Sequence, residues 1–153
     1  MSFSVKDVKI KYLTKKYEKE AKKIIINCLK EYFDKYLEDL NPDLKDLFDT
    51  YNKKGNCLII GLYGGRVIST AALTKENENI ARMVRMSVKK EFRKKGIATL
   101  MIAKLEEIAK EKDYKKVILE TTKTWEKAIK FYKKNKYIEY GQDEINIYFY
   151  KNL

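Results

Sequence analysis

The 153-residue chain contains no histidine. That removes every Ser-His-Asp and Cys-His mechanism, and every imidazole ligand for a metal. Acid–base chemistry must come from carboxylates, lysine, tyrosine, a terminus or water. Cysteine occurs only at Cys28 and Cys57, with no CxxC spacing, so neither a disulfide framework nor a zinc site is expected. Proline occurs once, at Pro42, and the chain has no repeat and no low-complexity segment. No apolar run approaches the roughly 20 residues of a membrane span. The opening "MSFSVKDVKIKY" lacks the apolar core of a signal peptide. These absences lead us to expect a reduced, cytoplasmic protein that makes no use of a membrane or a metal. The length suits one domain, residues 1–153, with a core of its own.

Arginine is also scarce, present only as Arg66, Arg82, Arg85 and Arg93, so lysine carries most of the net charge of +12. A solvated lysine surface and a polyanion partner both fit that charge. Specific nucleic-acid readers lean on arginine, and no recognition motif is present, so no nucleic-acid partner is expected. The charge is uneven. Residues 31–49 hold seven acids and two lysines, whereas 89–95 hold five cations and one acid.

What is present reads as mixed α/β in the order β-α-α-β-β-β-α-β-α-β. "VKIKYL" (Val8–Leu13) alternates like an edge strand. Apolar spacing of three and four predicts a helix from Glu18 to about Leu40, then a short one from Leu44 to Tyr51. Two apolar runs around Gly64-Gly65 predict a hairpin. A strand over about 79–90, a helix over 96–112 and a strand ending at Thr122 should form a parallel crossover. A helix over about 124–135 and strand segments split near Gly141 close the chain.

The stretch "RKKGIA" (93–98) sets three cations before a helix start, where positive charge is unfavourable. No Ser, Thr, Asp or Asn directly precedes that start as a cap. Uncapped amides, a glycine permitting close approach and flanking cations are the ingredients of an anion site. A solvated basic turn fits the local stretch equally well. Neither the P-loop nor the dinucleotide fingerprint is present.

Here the sequence resembles the GNAT superfamily of N-acetyltransferases. The strand ending at Val88 followed by Arg93, Gly96 and Ala98 is similar to its R-x-x-G-x-A motif. "WEKAIKFYKKNKYIEYG" is similar to its second signature. The resemblance implies a mostly antiparallel central sheet with a splayed parallel β4/β5 pair and helices on both faces. It implies acetyl-CoA as co-substrate. The backbone of Met86, Ser87 and Val88 would pair with the pantetheine arm. The amides of Arg93, Lys94, Lys95, Gly96, Ile97, Ala98 and Thr99 would wrap the pyrophosphate. Lys89, Lys90, Lys94 and Lys95 would attract phosphate charge. Tyr132 matches the general acid that protonates the departing thiolate, and the Val88 amide would hold the oxyanion. Trp125 stands where many members carry asparagine, and is expected with Ala128 against the coenzyme. Glu120 is the candidate base, with a water relay open beside it. Glu31, Asp34, Glu38 and Asp39 among Tyr32, Phe33 and Tyr36 suit a cationic amine acceptor, small molecule or peptide, and equally suit a solvated helix face. The alternative function is a non-catalytic acyl-CoA sensor on the same fold.

Overall fold

The computed structural model describes residues 2–33 and 40–153. Seven strands form one sheet in the order β1-β2-β3-β4-β5-β7-β6. The strands are β1 (Lys9–Tyr12), β2 (Cys57–Tyr63), β3 (Arg66–Lys75), β4 (Ile80–Val88), β5 (Lys116–Thr122), β6 (Ile138–Gln142) and β7 (Asn146–Asn152). The helices are α1 (Glu18–Tyr32), α2 (Leu47–Tyr51), α3 (Ile97–Glu111) and α4 (Glu126–Lys134). All neighbouring strands pair antiparallel except β4 and β5.

The apolar pattern decides which face each helix covers. Ala21 and Ile25 of α1 and Leu47 of α2 pack with Leu58, Ile60 and Ala72 on one face. Ile97, Met101 and Leu105 of α3 and Tyr132 of α4 pack with Ile59, Leu73, Leu119 and Phe149 on the other. Strands β2 and β3 lie between these layers and are buried almost throughout, which explains their continuous apolar runs. Gly64 and Gly65, at φ +58° and +78°, make the β2–β3 turn that the hairpin pattern anticipates.

Three expectations need correction. The first strand is only Lys9–Tyr12, because Val5–Asp7 turn as a short 3₁₀ helix. Helix α1 stops at Tyr32 rather than near Leu40, since Phe33 has extended backbone at φ −122°, ψ 121°. The second helix begins at Leu47, with a separate 3₁₀ turn at Pro42–Leu44 before it.

Two irregularities of β4 shape the site. It pairs with β5 only through Ile80, Ala81 and Arg82, opposite Lys116, Val117 and Ile118. Beyond Arg82 the parallel neighbours part. On its other edge β4 pairs with β3, and Ala71 alone stands opposite both Arg85 and Met86. This bulge shifts the alternation by one residue. Ala81 and Met83 face the α3 layer before it, and Met86 and Val88 face the same layer after it.

Arg85 sits in the bulge at φ +55°, a conformation that costs a non-glycine residue about 1–3 kcal/mol. The Thr70 hydroxyl donates to its carbonyl at 2.7 Å. Its guanidinium donates to Asp43 at 2.9 and 2.6 Å and to the Asn41 side chain at 3.1 Å. Tyr51 of α2 donates to the same carboxylate at 2.6 Å. Burial alone would raise the Asp43 pKa, but the hydrogen bonds from Arg85 and Tyr51 outweigh it and hold it below the usual carboxylate value.

Asp43→Asn should therefore cost about 1–3 kcal/mol at pH 7, as expected for hydrogen bonds to a partly buried charge. A depressed folded pKa stabilises above the unfolded value of about 3.9, and that contribution fades as pH falls through the folded value. Urea unfolding at pH 7 and pH 3 should show a gap between wild type and variant that narrows at the lower pH.

Candidate active site

The site lies where β4 and β5 end. Lys89 N–H donates to the Ile68 carbonyl at 2.8 Å, closing the ladder to β3. Amides of an extended strand alternate in direction, so the Val88 N–H points the other way, toward the gap beside β5. Met86 N–H points with it. The Ser87 side chain is buried, and the residue pairs with Thr70.

After β4 the chain makes a 3₁₀ turn over Lys90–Phe92 and reaches two left-handed positions, Lys94 at φ +61° and Gly96 at φ +85°. Helix α3 begins without a side-chain cap. The first bond into it runs from Leu100 N–H to the Gly96 carbonyl at 3.1 Å. None of the amides from Lys94 to Thr99 donates to any described residue. Lys94, Lys95 and Gly96 are exposed, and nothing lies within 4 Å of where a Gly96 Cβ would stand. Ile97 drives its side chain into the core while its amide stays free, and Ala98 and Thr99 follow it. The result is a concave row of N–H groups at a helix start, which favours an anion.

The flanking cations divide. Lys95 lies over the Phe3 ring at 5.8 Å, and Lys89 pairs loosely with Glu91 at 3.9 Å. Lys90 and Lys94 make no ion pair with a described residue. The Arg93 amide, expected in the row of free amides, donates to the Lys90 carbonyl at 3.3 Å. The Arg93 side chain donates from Nε to the Val88 carbonyl at 2.9 Å, and from its two terminal nitrogens to Glu31 at 2.7 and 2.8 Å. The hydrogen bond to Glu31 leads in holding the guanidinium charged, and the same bond lowers the Glu31 pKa. The Arg93 side chain thus ties the loop to α1. A groove of about 390 Å³ lies between α1 and this loop, lined by Ile24, Cys28, Val67, Lys90 and Arg93 among others. None of the amides from Lys94 to Thr99 opens into it.

Across the gap, β5 leads into α4. Trp125, Ala128 and Tyr132 are spaced by three and four residues and so share one face of that helix. Tyr132 is 9% exposed, ringed by Phe131, Tyr137 and Phe149 at 5.2, 5.9 and 6.3 Å. Its hydroxyl makes no hydrogen bond to a described residue. Burial, with a smaller effect from the nearby Tyr32 phenol, pushes its pKa up to about 12. Trp125 stacks on Tyr32 at 4.1 Å and meets Phe33 edge-on at 5.6 Å, while Ala128 packs against the core. Glu120 is on the opposite face of β5 from Leu119. It accepts from Arg82 at 3.3 Å and Asn146 at 3.4 Å. It therefore shares neither strand face nor contact with Tyr132.

Of the acids expected beside the acceptor, Glu31 is engaged by Arg93. Asp34, Tyr36, Glu38 and Asp39 lie outside the described residues. Sequence reasoning missed the Glu31–Arg93 pair, the aromatic stack on Trp125 and the Arg85 bulge. The first two partners are 62 and 93 residues apart, and no local pattern announces them.

A sheet whose parallel pair parts beside a cradle of free amides defines the acyltransferases that receive a coenzyme between two strands. The profile of the Acetyltransferase (GNAT) family matches residues 22–137, and the chain belongs to that family. Acetyltransferases of similar fold have been solved with coenzyme A or acetyl-CoA bound. Among curated proteins, N-acetylaspartate synthetase of Homo sapiens is 37% identical over 100 residues, covering 63% of this chain and 33% of that protein. The chain thus spans about a third of the length of that relative. Among solved structures, a GNAT-family acetyltransferase of Staphylococcus aureus Mu50 superposes with a TM-score of 0.86 at 22% identity, covering 95% of this chain and 99% of that one. The PaiA N-acetyltransferase of Thermoplasma acidophilum, solved with coenzyme A, gives 0.83 at 16% identity with the same coverage. At these identities the structural likeness speaks for the fold. Among the described residues no helix is long and apolar enough to cross a membrane.

Gly96→Glu should abolish acetyl-CoA binding by placing a carboxylate before the amides. Gly96→Ala, which adds only the left-handed strain of about 1–3 kcal/mol, should bind measurably. Isothermal titration of both folded variants checks the difference, and unchanged affinity in Gly96→Glu would remove the loop from the binding site.

Proposed function

We propose that this enzyme transfers the acetyl group of acetyl-CoA directly to a primary amine, with both substrates bound together and Tyr132 as the general acid. The observation that carries this reading is a buried phenol with no hydrogen-bond partner among the described residues, on the helix that flanks the cleft. Burial favours the neutral phenol, so Tyr132 holds its proton through the physiological range.

The neutral amine attacks the thioester carbonyl. A C–N bond forms and the carbonyl electrons move to oxygen, where the Val88 N–H donates to the oxyanion. Collapse restores the C=O bond and breaks the C–S bond. The departing thiolate takes the Tyr132 proton, leaving coenzyme A as the thiol. The amine's surplus proton leaves through water to Glu120, which is 43% exposed. Pantetheine pairing with Met86–Val88, and pyrophosphate binding by the 94–99 amides, hold the thioester for this sequence. Trp125 and Ala128 line the arm on the α4 side.

For the acceptor, the name of the curated relatives supports the amino group of a small acidic amino acid. Arg82, where β4 and β5 part, donates to Glu76 at 3.1 and 3.0 Å and to Glu120 at 3.3 Å, and the longer contact is the one a substrate carboxylate would replace. A cationic acceptor rests on the acids that follow Tyr32 in sequence, and Glu31, the described one, is already neutralised by Arg93. An acetyl-transfer screen over aspartate, glutamate, polyamines, aminoglycosides and peptides decides between them. Acetyl-CoA binding without transfer to any of these amines would favour the sensor alternative.

Tyr132→Phe keeps the ring and removes only the hydroxyl. The single-turnover rate should fall by about 10²–10⁴-fold, the range for general acid catalysis. Acetyl-CoA affinity should change by less than about tenfold, since one hydrogen bond at most is lost. A single-turnover rate equal to wild type would make Tyr132 a packing residue.

A further inference from the structure

The last turn of α1 touches both loops that flank the cleft, with consecutive residues. Glu31 holds Arg93 of the β4–α3 loop through two hydrogen bonds of 2.7 and 2.8 Å. Arg93 in turn holds the Val88 carbonyl, and Cys28, one turn earlier on α1, makes longer contacts to both, at 3.5 and 3.9 Å. The next residue, Tyr32, stacks on Trp125 of the β5–α4 loop at 4.1 Å with the planes inclined by 36°, and Phe33 closes the edge of the indole. Successive helical residues project about 100° apart, so neighbours at a helix end reach to different sides.

The two loops need such a connection. Their strands pair over three residues at the far end and then part. No hydrogen bond, ion pair or ring contact among the described residues joins residues 89–96 directly to 122–132. The end of α1 is what links them.

We propose that Glu31 and Tyr32 are positioning residues, and that the last turn of α1 is a strap fixing the separation of the Val88 amide from Tyr132 across the cleft. This rests on the reading of the cleft given above. Neither residue touches the reacting atoms. The strap acts through Arg93 on one side and Trp125 on the other. Its two ends differ in chemistry. The ion pair is about one-third exposed on each partner and is weakened by salt. The aromatic stack is not.

The test uses the full chain with Glu31→Gln, Tyr32→Ala, Tyr32→Phe and the double variant Glu31→Gln/Tyr32→Ala. Single-turnover transfer to the acceptor returned by the screen is measured, with thiol release from acetyl-CoA in its absence as a second readout. Tyr32→Ala and Glu31→Gln should each lower the transfer rate by about 10- to 100-fold, the scale of an ångström-sized misplacement. The dissociation constant for acetyl-CoA should move by less than about tenfold, less than the rate, because the 94–99 amides are untouched while only the seating of the arm on Val88 and Trp125 changes. Tyr32→Phe, which keeps the stack, should stay within about twofold of wild type. The double variant should be no slower than the slower single one, since either release frees the same strap.

A wild-type rate in Glu31→Gln, which removes only a partly exposed charge and leaves the fold intact, overturns the proposal. So does a Tyr32→Phe variant as slow as Tyr32→Ala, which would assign the hydroxyl a chemical role. Fully multiplicative losses in the double variant also overturn it. Failure of the underlying reading looks different. In that case wild type transfers no acetyl group, or Tyr132→Phe transfers it at full rate.

Discussion

The structure depends on the parting of β4 from β5. A backbone polar group withdrawn from water must find a partner, and a strand inside a sheet normally finds one on each edge. Here β4 keeps its partner on the β3 edge but loses β5 after Arg82. The N–H groups of Met86 and Val88 then face an open gap, and the free amides of residues 94–99 continue the row into α3. An extended amide-bearing arm and a polyanion are what such an edge and such a helix start accept. The bulge at Arg85 turns Met86 and Val88 onto the α3 face, and Asp43 of the Pro42–Leu44 turn, backed by Tyr51 of α2, holds it in place.

This arrangement also explains the charge of the 89–95 segment. Cations at a helix start are unfavourable by themselves, and here only some of them await an anion. Arg93 is neutralised by Glu31, and Lys95 rests on Phe3. Lys90 and Lys94 remain without an ion pair among the described residues, beside the exposed amides. The acid-rich stretch that begins at Glu31 accordingly has a structural use in its first member, and the excess of positive charge near the loop is smaller than the run "RKKG" suggests.

Much of the fold was legible because it is written in short-range patterns. The Gly64-Gly65 turn, the uncapped start of α3 and the three-four spacing on α4 are all local. The one parallel pair followed from the strand–helix–strand order, which counted six strands where the sheet has seven, the split closing segment being β6 and β7. The candidate site was legible as a set of backbone positions, since motifs report where a loop turns. The directions of long side chains were not. Arg93 stands in a run of cations, and no local pattern shows that its side chain pairs with a glutamate 62 residues away. Trp125 reads as a contact for the coenzyme arm, and no local pattern shows that its ring also packs against Tyr32 and Phe33. The end of α1 was misjudged for the same reason. Phe33 continues the helical spacing in sequence, but its backbone is extended and its ring is taken by Trp125. Arg85 at positive φ carries no local signature, because a bulge is a property of two strands together.

The claim that the parted strand end and its free amides receive acetyl-CoA is tested most directly by amide hydrogen exchange with and without the coenzyme. Binding should slow exchange at Met86, Val88 and the amides from Lys94 to Thr99, because these groups gain their first hydrogen-bond acceptors. Amides of β2 and β3, already paired within the sheet, should be unaffected. Saturating acetyl-CoA that leaves residues 86–99 exchanging as before, with protection appearing elsewhere, would contradict the account.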